Sequence, residues 1–74
     1  MNTLAEDSIE LRLDDRPHRA PAGSTLADLV ERLGHRPLDV ATAVNGDFVA
    51  RGRRAACVLA SGDAVLLFKP IVGG

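Results

Sequence analysis

The chain has 74 residues, which is room for one domain near the lower limit of what folds without disulfide or metal staples. Hydrophobic residues make up 46% and charged residues 26%, a globular balance that excludes a disordered chain. Nine basic against ten acidic side chains leave a formal net charge of −1, which removes any electrostatic reason to bind nucleic acid or anionic lipid.

Residues 1–8 are polar, with Glu6 and Asp7 and no apolar stretch behind a basic start, so they read as a flexible leader and not as a secretory signal. No apolar run is long enough to span a membrane, and a cytoplasmic protein is expected. Ile9, Leu11 and Leu13 alternate with Glu10 and Arg12, the period of a strand with one buried face. Asp14-Asp15-Arg16 supplies a turn into a short strand around His18 to Ala20. Pro17 and Pro21 bracket that strand, and their missing N–H groups send it to a sheet edge.

Leu26, Leu29, Val30 and Leu33 fall at i, i+3, i+4 and i+7 and define a helix. Thr25 with Asp28 forms a capping-box pattern, and Asp28 is spaced to pair with Arg32. Gly34 suits the left-handed position that ends the helix, and Pro37 prevents its resumption. A strand from Val40 to Val44 then turns at Asn45-Gly46, a strong hairpin signal, and returns through Phe48 and Val49. Ser61-Gly62-Asp63 makes a further turn before a last strand from Ala64 to about Lys69.

These elements predict an α+β domain over residues 9–70, a mixed sheet of four to five strands packed on one main helix. Only Phe48 and Phe68 are aromatic, so Leu, Val, Ile and Ala must build the core. Arg51, Arg53 and Arg54 read as a solvated basic loop. Cys57, the single cysteine, excludes an internal disulfide and reads as a small buried apolar side chain. Val65 to Phe68 are apolar on both parities, yet one helix covers one sheet face. One pair, Val65 with Leu67 or Leu66 with Phe68, is therefore expected to remain partly exposed as a docking patch.

No catalytic or metal-binding constellation stands out. His18 and His35 lie in polar or loop segments, Asp14 and Asp15 are expected to solvate and cap their turn, and no glycine-rich phosphate loop exists. An enzyme is not expected, nor a cofactor bound by this chain. The informative segment is residues 71–74, ending in Gly73-Gly74, which reads as a flexible tail. Two terminal glycines arise by composition in only roughly 0.5% of chains. Without side chains they can thread a narrow site in another protein. The five residues after Lys69 reach roughly 17 Å when extended. Their terminal carboxylate is ionised at neutral pH and can attack a nucleotide α-phosphate to give an acyl adenylate.

Gly23-Ser24-Thr25-Leu26, Ala43-Val44-Asn45-Gly46 followed by Val49 and Arg51, Gly62-Asp63, and Gly73-Gly74 together resemble the thiamine-pathway sulfur carriers, the ThiS family. The resemblance spans roughly residues 9–74. It implies a ubiquitin-like β-grasp fold and a C-terminal thiocarboxylate on Gly74, with Gly73 as the second residue of the threading tail. It also implies a set of partners: an E1-like enzyme that adenylates Gly74 with ATP and Mg, a sulfur donor enzyme, and thiazole synthase as acceptor. Family topology turns Val65 and Leu67 inward, which makes Leu66 and Phe68 the docking residues. The free carrier is expected to be a monomer. The small subunit of molybdopterin synthase shares this fold and ending, so molybdopterin or another sulfur metabolite remains an alternative destination. A ubiquitin-like modifier would use the same adenylate.

Overall fold

The alternation of Ile9, Leu11 and Leu13 with polar residues produces the first strand, β1, Ser8–Leu13. The computed structural model describes residues 8–69, so most of the expected leader and the whole Gly-Gly tail lie outside the described residues. β1 takes in Ser8, which the sequence assigned to the leader. Asp14 and Asp15 have φ of 52° and 69°, the left-handed pair whose twist matches a two-residue hairpin. That hairpin leads into β2, Arg16–Pro21, with Leu11 opposite His18 and Ile9 opposite Ala20. β2 is longer than expected but does lie at an edge, in the order β2-β1-β5-β3-β4. There only alternate N–H groups face a partner, so both prolines are tolerated.

Helix α1, Leu26–Arg32, begins at the expected capping box: the Asp28 amide donates to Thr25 Oγ1 at 3.1 Å, and the Thr25 amide to Asp28 Oδ2 at 3.0 Å. The Asp28–Arg32 ion pair suggested by the spacing does not form, because the Asp28 carboxylate turns back to Thr25. Gly34 follows with φ of 86°, as expected past the helix end. Seven residues are too few for a helix to persist in water on propensity, so packing must hold it. Leu26, Leu29 and Val30 supply that packing, all buried against Leu11, Leu59 and Val65 or beside them. Leu29→Ala is expected to destabilise the domain by about 3 kcal/mol, a large share of the roughly 5 kcal/mol available at this size. A lowered urea midpoint would register it; an unchanged midpoint would show that Leu29 does not hold the helix on the sheet.

β3, Ala41–Val44, and β4, Asp47–Val49, are joined at Asn45 and Gly46, whose φ of 53° and 88° make the expected type I′ turn. β5, Ala64–Phe68, lies between β1, which it pairs in parallel with Leu13 opposite Val65, and β3, which it pairs antiparallel. The result is the expected α+β arrangement, a five-stranded mixed sheet with one main helix on one face.

Between β4 and β5 a 3₁₀ helix, Arg51–Ala56, packs under α1, and a shorter 3₁₀ turn, Pro37–Asp39, precedes β3. The chain after the longer one is stitched to the start of α1: the Leu26 amide donates to the Cys57 carbonyl and the Leu59 amide to the Ser24 carbonyl, each at 2.9 Å. Two readings of this stretch need correction. Arg54 is not in a solvated loop; it is 4% exposed, while Arg51 and Arg53 are exposed. Its guanidinium donates to Thr42 Oγ1 at 3.1 Å, to the Pro37 carbonyl at 3.0 Å and to the Val40 carbonyl at 2.6 Å, which offsets the loss of water. Cys57 is only half-buried, packed at the margin of the core.

Candidate functional site

The parity of β5 decides what the sheet shows to solvent. Val65 points into the core and is fully buried, and Leu67 packs against the same cluster. Leu66 and Phe68 point the other way and are 44% and 46% exposed, as the alternation required. On β3 the neighbours opposite them are Ala43 and Ala41. Ala43 also stands opposite Phe48 on β4, so Phe48, Leu66 and Phe68 share one face across three strands. Phe48 is 67% exposed, and the sequence reading did not assign it to this surface. The signal was present: a two-residue turn at Asn45-Gly46 fixes the register that puts Phe48 opposite Ala43. Leu38 extends the apolar surface, lining a groove with Val40, Phe68 and Lys69 where β5 ends.

Side chains hold β5 near both of its ends. At its start the Ala64 amide donates to Asn45 Oδ1 at 3.0 Å, and Asn45 Nδ2 donates to Asp63 Oδ1 at 3.1 Å. Near its end β1 has run out at Leu13, and Asp14 takes over. The Asp14 amide donates to the Val65 carbonyl at 2.9 Å, and Asp14 Oδ1 accepts from the Leu67 amide at 3.1 Å. Asp14 therefore does more than solvate its turn: its carboxylate extends the ladder by one bond at the root of the tail. Asp14→Ala is expected to speed hydrogen exchange at the Leu67 amide by about fivefold, the effect of a hydrogen bond of about 1 kcal/mol. Asp14→Asn keeps an acceptor and is expected to stay near the parent rate. Equal exchange in all three proteins would remove Asp14 from the anchor.

Gly73 and Gly74 lie beyond the described residues. Among the described residues no group of three or more His, Cys, Asp and Glu side chains could hold a metal, and no helix is long and apolar enough to cross a membrane. His35 is exposed and His18 half-buried on β2.

A mixed sheet clasping one helix, with the last strand in its middle leading towards the C-terminus, defines a ubiquitin-like β-grasp protein. What the described residues offer is an apolar sheet face on the strand that precedes the C-terminal segment. The ThiS family model matches residues 5–74, and the chain belongs to the ThiS family. It is 33% identical over 66 residues to the sulfur carrier protein ThiS of Escherichia coli strain K12, covering 89% of this chain and 100% of that one. It is also 38% identical over 66 residues to a thiazole synthase of Magnetococcus marinus, where the match covers 89% of this chain but 20% of the larger protein. The crystal structure of a thiamine biosynthesis protein, ThiS, from Geobacter metallireducens superposes with a TM-score of 0.77 at 22% identity, covering 89% of this chain and 100% of that one. This last likeness bears out the fold.

Proposed function

We propose that this protein is a sulfur carrier for thiamine biosynthesis, a protein substrate and not a catalyst, whose reactive group is the Gly74 carboxylate. The observation that carries the reading is the match to a sulfur carrier protein along that protein's whole length, within a family match that runs to Gly74. A carboxylate oxygen attacks the α-phosphate of ATP, held with Mg by an E1-like partner, and pyrophosphate leaves. The acyl adenylate then meets a persulfide from a sulfur donor enzyme; sulfur bonds to the acyl carbon and AMP departs. Reductive cleavage of the S–S bond by a thiol leaves the thiocarboxylate, which passes sulfur to thiazole synthase. That partner assignment draws support from the thiazole synthase whose sequence includes a stretch similar to this chain.

In this reading Leu66 and Phe68, joined by Phe48, dock the E1-like enzyme while Gly73 and Gly74 enter its site. The free chain acts as a monomer in the cytoplasm, where ATP and the partner enzymes meet it. Intact mass spectrometry after incubation with the E1-like enzyme, ATP, Mg and a sulfur donor tests the proposal. Exchange of one oxygen for one sulfur, localised to Gly74, is the expected result. An unmodified chain beside a partner that adenylates its own known substrate would overturn it.

A further inference from the structure

On the helix side of the sheet, away from the apolar face, α1 and the 3₁₀ helix Arg51–Ala56 leave an opening of about 480 Å³. Val30, Glu31, His35, Pro37, Arg51 and Arg54 are among its lining residues. Arg54 is the unusual member. A guanidinium has five N–H donors, and here three are used, all on neutral oxygens. No carboxylate among the described residues lies within ion-pair distance of it; the ion pair there is Arg36 with Asp39. Burial first, and then the charge of Arg51, pulls the Arg54 pKa below the ordinary arginine value.

A charge this deeply buried is normally matched by an opposite one. Here the charge that Arg54 feels is a second cation, and both border the same opening. We propose that this opening is a carboxylate site, which takes a glutamate side chain of a partner protein between Arg51 and Arg54. Ala27, Val30, Pro37 and Ala55 provide apolar walls for the methylene stem. Arg54 keeps one N–H on each Nη beyond its three internal bonds, Arg51 lines the same opening with an exposed side chain, and a planar carboxylate suits such donors. A phosphate would carry a second negative charge past Glu31 and has no stem for those walls. The site is separate from Leu66, Phe68 and Phe48, so it engages a partner from the opposite side of the sheet and does not depend on sulfur chemistry.

The test is an NMR titration of the ¹⁵N-labelled chain with N-acetylglutamate α-amide, its glutamine counterpart and inorganic phosphate at matched ionic strength. Saturable shifts are expected at the Arg54 Nε–H and at the Ala27 and Ala55 amides with the glutamate derivative, and none with glutamine. Arg51→Gln is expected to weaken that binding by about threefold, on the scale of an exposed ion pair. Glu31→Gln, which removes a competing negative charge, is expected to tighten it by a similar factor. Equal responses to glutamate and glutamine, tighter binding of phosphate, or weaker binding in Glu31→Gln would each overturn the assignment.

Discussion

A chain shortened by Gly73 and Gly74 is expected to fold as the full protein does and to accept no sulfur. The proposed chemistry needs a carboxylate that reaches a phosphorus atom inside another protein, and in-line attack tolerates little misplacement. Cutting two residues withdraws the terminal carboxylate by roughly 7 Å. It also places a branched side chain, Val72, at the new terminus, where the pair of glycines had offered none. The expected loss is complete on the scale of the mass assay, while the urea midpoint stays unchanged because the cut removes none of the core residues Leu11, Leu26, Leu29 and Val65. Undiminished thiocarboxylate formation by the shortened chain would refute the carrier reading.

Replacing both Leu66 and Phe68 with glutamate is expected to weaken binding of the E1-like enzyme by at least about 30-fold, the scale of losing one apolar anchor worth about 2 kcal/mol. Their side chains already stand about half in water, so the fold should tolerate the change that the core would not. Phe48→Glu, two strands away on the same face, is expected to act in the same direction. Val58→Glu is the control: Val58 is 63% exposed but lies outside β5, bridged to Thr25 at the start of α1. If the Leu66/Phe68 double variant binds like the Val58 variant, the sheet face is not the docking surface.

Much of this architecture was legible because it rests on local rules. The alternation in β1, the Thr25–Asp28 box and the Asn45-Gly46 turn each depend on residues no more than a few positions apart, and each formed as the pattern required. What stayed hidden depends on partners brought together by the fold. Arg54 reads as part of a charge run, and its burial needs oxygens from Pro37, Val40 and Thr42, 17, 14 and 12 residues upstream. Asp14 reads as a turn residue because its partner, Leu67, is 53 positions away. Parity narrowed the docking pair to two choices and the family resemblance selected Leu66 and Phe68, whereas Phe48 was legible only through the register that the Asn45-Gly46 turn imposes, because a three-residue strand shows too little alternation by itself.

The third place of β5 in the sheet has a mechanical result. A peripheral strand could be peeled away one bond at a time, but this one is gripped along both flanks, with Asp14 adding a final clasp. Any tug an enzyme exerts through the tail is thus borne as shear by many bonds together, so the body of the protein can serve as a rigid grip while its end is worked on.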